Sequence, residues 1–240
     1  MMREIIKSMS IALVVLLLSV GHSFSQDTTV HVVRDLESWT SARLNYKINK
    51  KFGIRFSQNL RLQQNSMQFN NYFSELAFKY EPFKNLTLEL ETRYGVNAKN
   101  SGNVNYLRLF YAAKYEYSLD RLDFSARAAY QNVNTMSVSA FDFAEARYNW
   151  RYQLKSSYNI KNWKLDPELS FEGFRKNTTA SNPGFDKYRI RLTTDYNFND
   201  LKISPFYAFE RELNEEYPLN ASIIGLNLTY NLKRKKNEKD

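Results

Sequence analysis

The 240-residue sequence has no cysteine, only seven glycines and five prolines, and two histidines. Each shortage closes off a class of protein. Without cysteine there is no disulfide scaffold, no thiolate metal site and no lipidated cysteine anchor. His22 lies in an N-terminal segment that reads as removable, which leaves His31 alone and provides no HExxH zinc motif. A lone histidine near a terminus is also a poor base for a Ser-His nucleophile. After residue 25 no stretch approaches the roughly 20 apolar residues that a membrane-spanning helix needs. If this chain crosses a membrane, it does so as strands.

What the first 25 residues do have is the layout of a secretory signal peptide. Arg3 and Lys7 are basic, residues 11–20 form an apolar run too short to span a bilayer, and Ser23 and Ser25 offer a cleavage site before Gln26. Removing two bases (Arg3, Lys7) and one acid (Glu4) from 34 and 25 leaves 32 against 24, a net charge of +8. Five of those bases fall in residues 233–240. We read them as a solvated tail, with no nucleic-acid partner for an exported chain of otherwise mixed charge.

Between the signal and the tail, the sequence alternates with a period of two. Phe52, Ile54, Phe56, Leu60 and Leu62 share one parity, while Arg55, Ser57, Asn59 and Arg61 take the other. Eleven segments read this way: 36–48, 53–64, 71–80, 86–95, 104–117, 122–131, 144–160, 165–174, 185–198, 201–211 and 221–232. The apolar faces read as free of Asp, Glu, Lys and Arg throughout. A soluble sandwich also alternates, but it tolerates an occasional edge lysine. On a lipid-facing barrel surface a cation costs about 2–4 kcal/mol at the bilayer midplane, so exclusion is strict. The aromatics add a second sign. Tyr46, Tyr80, Tyr117, Tyr158, Phe198 and Tyr230 stand near one end of the segments, and Tyr72, Tyr94, Tyr130, Tyr148, Tyr188 and Tyr207 near the other. Two such belts suit two headgroup layers.

These features predict an all-β, transmembrane, antiparallel up-and-down barrel over residues 26–232. Short connections are expected at 49–52, 81–85, 118–121, 161–164 and 199–200. Longer ones are expected at 65–70, 96–103, 132–143, 175–184 and 212–220. With short turns in the periplasm and long loops outside, segment 221–232 runs inward and leaves tail 233–240 in the periplasm. Eleven segments would start the first strand outside. A further strand at 28–34 brings the expectation to twelve, the even number of bacterial barrels, with ten as the fallback.

Gly225, Leu226, Asn227, Leu228, Thr229 and Tyr230 are similar to the C-terminal assembly signal of outer-membrane barrels, with Gly225, Leu228 and Tyr230 its marks, although ten residues follow Tyr230. The chain also resembles a family in Trp39-Thr40-Ser41-Ala42-Arg43-Leu44, Gln58-Asn59-Leu60-Arg61-Leu62, Asn105-Tyr106-Leu107-Arg108-Leu109 and Tyr148-Asn149-Trp150-Arg151-Tyr152. That family is the outer-membrane one called domain of unknown function 2490. The resemblance implies an outer-membrane location and barrel architecture, with outer-membrane lipid and the barrel assembly machinery as partners, but it implies no reaction.

Carboxylate pairs such as Glu89 with Glu91, or Glu168 with Glu172, imitate a hydrolase dyad. They alternate with arginines and read instead as a charge ladder on the inner face. That face is predicted to carry Arg43, Arg55, Arg61, Arg93, Arg108, Arg127, Arg147, Arg151, Arg189 and Arg191, with Glu75, Glu89, Glu91, Glu116, Glu145, Glu168, Glu172, Asp195 and Glu210. Two readings stay open. In one, the ions pair and, with Phe110, Phe174 and Phe206, fill the interior. In the other, a narrow wet path favours small anionic solutes. Eight strands give a filled interior and sixteen a channel, so twelve decides neither; a narrow or closed lumen is the expectation. No enzymatic activity and no cofactor are expected, a lipid-modifying enzyme ranks last, and the identity of any small solute is not encoded legibly.

Overall fold

The structure is a computed structural model that describes residues 31–99, 102–136, 143–161, 163–177 and 184–232, with backbone alone at 143–146. Eleven strands follow one another: β1 (Val33–Lys47), β2 (Phe52–Gln63), β3 (Gln68–Phe83), β4 (Leu86–Lys99), β5 (Gly102–Leu119), β6 (Leu122–Met136), β7 (Phe143–Tyr158), β8 (Leu165–Lys176), β9 (Phe185–Phe198), β10 (Leu201–Glu212) and β11 (Leu219–Leu232). Each pairs with its sequence neighbours, and β1 pairs with β11 to close a barrel. The strands are rich in Tyr, Phe and Leu, and the aromatic rings among these fit a pleated surface.

Alternation decides which face is which. Leu44, Phe56, Leu90, Tyr111, Leu192 and Ile224 are exposed on the outside, while Phe73, Glu91, Arg108, Phe110 and Glu172 are buried inside. The outer face is not wholly free of charge: Arg34, Arg175 and Arg211 take outward parity, while the bulge at Phe174/Arg175 sets Phe185 outward and Asp186 toward Lys176 and the interior. Each of the three arginines is the second residue from the loop end of its strand. Aromatic rings meet along both outer belts. Phe52 stacks on Tyr80 at 4.8 Å between centroids near the turns, and Tyr130 lies 5.0 Å from Trp150 toward the loops.

The strand count corrects the expectation of twelve, and of ten. Val33 and Arg34, assigned above to a strand over 28–34, instead open β1, and residues 28–30 lie outside the described residues. The edge of β1 that a twelfth strand would need is occupied by β11, in register from Val33 opposite Leu219 to Tyr46 opposite Leu232. That pair is parallel, as an odd number of alternating strands requires, so the barrel is mixed rather than wholly antiparallel.

Several connections are shorter than expected. β4 runs on to Lys99 and β5 begins at Gly102, so only two residues join them where a loop over 96–103 was expected. Asp120 and Asn199 open two-residue turns with φ of 54° and 53°, a left-handed conformation that Asp and Asn tolerate. Residues 64–66 take the same conformation between β2 and β3. The Asp35 carboxylate holds them there by accepting from the backbone N–H groups of Gln64 and Asn65, each at 2.9 Å. Residues 1–25 and 233–240, expected to be signal and tail, lie outside the described residues.

Candidate functional site

Parity sends arginine and glutamate to the same interior, and register sets them beside one another. Glu75 on β3, Arg93 on β4 and Arg108 on β5 are successive cross-strand partners. The Glu75 carboxylate accepts from both arginines, with Arg108 Nη2 at 3.0 Å, and from Ser57 Oγ at 2.8 Å. Glu91 pairs with Arg108 and, at 2.7 Å, with Arg55, which also reaches Glu89 at 2.7 Å. These residues form one ion cluster on the β2–β5 wall.

A second cluster covers the opposite wall. Glu172 on β8 accepts from Arg127 and Arg151, each at 2.8 Å, and from Arg189 at 3.4 Å. Arg189 also pairs with Glu210, whose other oxygen takes Lys187 at 2.8 Å. Phe110 stands between the clusters, with the guanidinium carbons of Arg108, Arg127 and Arg151 at 5.3, 5.7 and 5.5 Å from its ring centre. Toward the turns, Glu168 binds Lys155 at 2.8 Å, Asp195 binds Lys202 at 2.7 Å, and Glu116 binds Lys114 at 3.0 Å on an exposed rim. Each of these carboxylates has a cationic partner. Arg147 is exposed and belongs to the loop-side mouth, and the Glu145 side chain lies outside the described residues.

Period two placed these ions inside together with Phe110, Phe174 and Phe206, but passed over three further rings, for which inward parity was the available signal. Trp39, Phe73 and Tyr106 all point inward and are buried. Trp39 anchors an apolar patch with Phe206, Ala208, Ala221 and Ile223, and its indole N–H donates to Glu37 at 2.6 Å. Gly95 lies in register with Phe73 and Tyr106, and a Cβ there would come within 2.6 Å of Phe73 Cβ. The absence of a side chain is what lets the two rings approach.

The interior is divided into compartments. A loop-side cup of about 600 Å³ is lined by eight cationic residues, among them Arg147, Lys176 and Lys187, against the single acid Asp186. Below it lies a chamber of about 240 Å³, lined by nine arginines and by Glu75, Glu89, Glu91 and Glu172. Arg61, Arg93, Arg108, Arg151 and Arg189 line both, so they form the collar between cup and chamber. A third cavity, about 480 Å³ at the turn side, includes Ser125 and Lys155, each one inward step beyond the chamber residues Arg127 and Gln153. Cup, chamber and turn-side cavity succeed one another, with the narrowest volume in the middle.

Fold and lining together define a closed β-barrel with a constricted, cation-rich lumen. The chain belongs to the family described as Protein of unknown function (DUF2490), which matches residues 36–217. No curated protein matches the sequence. Among solved structures, one described as "NanC porin structure in rhombohedral crystal form" is similar at 10% identity and a TM-score of 0.47, over 78% of this chain and 93% of that one.

Proposed function

We propose that this chain is an integral outer-membrane barrel whose narrow lumen admits small anions. The observation that carries the reading is the charge of the central chamber, nine arginines to four glutamates, entered through a collar made of arginine alone. A surplus of fixed positive charge between low-dielectric walls concentrates anions and repels cations. Four of the five collar arginines are tied to glutamates and Arg61 is held over the Trp39 ring, which keeps the constriction rigid and narrow. The lumen is therefore a filter rather than a wide water-filled channel, and no enzymatic step is assigned to it.

The membrane location is supported by the outer surface. Its exposed face is apolar along the strands, with aliphatic and aromatic residues intermixed, and its charged residues are confined to the loop-side strand ends. In this reading residues 1–25 direct export, Gly225, Leu228 and Tyr230 engage the assembly machinery, and outer-membrane lipid covers Leu44, Leu90 and Leu192.

Single-channel recording of the refolded protein in a planar bilayer tests the function. Small steady openings, with a reversal potential displaced toward the anion equilibrium in a salt gradient, are expected. Silence, or selectivity for cations, removes the pore. Location is tested separately by heat-dependent gel mobility and membrane fractionation, and recovery as a soluble periplasmic protein would overturn it.

A further inference from the structure

Ion pairing accounts for six of the nine chamber arginines: Arg55, Arg93, Arg108, Arg127, Arg151 and Arg189. Arg43, Arg61 and Arg191 meet no carboxylate among the described residues. The guanidinium carbon of Arg61 lies 3.8 Å from the centre of the Trp39 ring and 5.0 Å from that of Phe73. That of Arg191 lies 4.3 Å from the Phe206 ring. Arg43 donates to the side-chain oxygen of Asn227 at 3.2 Å. Rings and amides hold a guanidinium in place, but they supply no opposite charge. In addition, the Nε atoms of Arg108 and Arg127 are buried and have no hydrogen-bond partner among the described residues. Cations withdrawn from water without a counter-charge are costly, and the surplus here is gathered around one cavity.

We propose that the central chamber is a binding site for a small, doubly charged oxyanion of the phosphate and sulfate class, with Arg43, Arg61 and Arg191 as its counter-charges. The inference deepens the anion-filter reading and rests on it only in requiring that anions from solution reach the chamber. Size selects the class first. A volume of 240 Å³ is about eight water molecules at roughly 30 Å³ each, enough for a tetrahedral oxyanion with some water. A bulkier anion is confined to the 600 Å³ cup above the collar or the 480 Å³ cavity at the turn side. Geometry selects next. A guanidinium fork donates paired N–H bonds, which an oxyanion accepts on two oxygens and a halide cannot. Charge selects last, because three unpaired cations favour a dianion over a monoanion.

Calorimetric titration of the refolded full chain in detergent, at constant ionic strength and a pH where the phosphate dianion dominates, tests the site. Inorganic phosphate and sulfate are expected to bind saturably, with chloride and acetate weaker by about tenfold or more. Arg61→Gln and Arg191→Gln should each weaken phosphate by about tenfold while keeping heat-dependent gel mobility. Arg34→Gln, at the exposed loop end of β1, should bind as the parent does. Non-saturable phosphate heats, chloride binding equal to phosphate, or unchanged binding in both arginine variants overturns the proposal. Should the variants fail to refold, the comparison of phosphate with chloride on the parent decides alone. Saturable phosphate binding without bilayer conductance keeps the site and removes the pore; anion-selective conductance without phosphate binding does the reverse.

Discussion

Trp39 and Gly225 stand opposite one another across the parallel β1–β11 seam, and the ring of Phe206, the other neighbour of Gly225, occupies the space that a side chain would fill. A Cβ at Gly225 would come within 2.2 Å of the Phe206 ring and 2.6 Å of the Trp39 carbonyl oxygen. The ring can move, but the carbonyl belongs to the seam itself. Gly225→Ala should therefore destabilise the barrel by about 1–3 kcal/mol through overpacking. Denaturant unfolding after refolding without cellular machinery checks this, and an unchanged midpoint would leave recognition during assembly as the only role for the glycine.

Glu172 is the single acceptor shared by Arg127, Arg151 and Arg189, and it is buried. Removing its charge strands the guanidiniums of Arg127 and Arg151, while Arg189 keeps Glu210. Glu172→Gln should cost about 3–5 kcal/mol, the usual loss when one partner of a buried ion pair is deleted. In the refolded fraction, anion preference should rise, because the chamber becomes more positive. Unfolding midpoints and bilayer reversal potentials read the two effects independently.

Arg108 works in the opposite direction. It belongs to the collar and pairs with Glu75 and Glu91, so Arg108→Gln removes positive charge at the constriction and leaves Glu75 to Arg93 and Glu91 to Arg55 as their remaining cations. Anion preference should fall or invert, with conductance unchanged or larger. A selectivity equal to that of the parent protein would mean that the collar does not set permeation.

On the outer surface, Leu90 is exposed within β4, four residues from its turn end, flanked in register by Phe78 and Tyr111. Leu90→Arg should cost about 2–4 kcal/mol in lipid vesicles if this face meets hydrocarbon. The same charge stands at outward parity at Arg211, near the loop end of β10. Reversible folding into vesicles measures the difference, and a cost below about 0.5 kcal/mol would mean a water-facing surface.

Inside and outside were legible in the sequence because a strand has a period of two and the two surroundings differ sharply in polarity. That sufficed to put Glu75, Arg108 and Glu172 in the lumen. Partner direction was not legible: alternation in β1 and β11 is the same whether they run parallel or antiparallel, so the closure at eleven was missed. Strand ends were lost for a related reason. Residues 96–99 continue β4, and Val96 and Ala98 keep the alternation against Asn97 and Lys99, but two small apolar side chains do not stand out from the polar stretch that follows them. Ring-backed arginines were also out of reach. Parity places Trp39 and Arg61 inside, whereas their contact depends on the register between β1 and β2, which sets them opposite each other.

The parallel seam also governs how the polypeptide can be rearranged. β1 starts at the loop end and β11 finishes at the turn end, so joining Leu232 to Val33 requires a linker that traverses the length of the wall, roughly 45 Å for fourteen residues at about 3.3 Å each. Circular permutation with a short linker, which suits barrels whose termini share a rim, is closed to this one. A split-protein design meets the opposite situation. Halves cut in the β5–β6 turn each retain one strand of the seam, and their reassociation must restore both an antiparallel and a parallel interface.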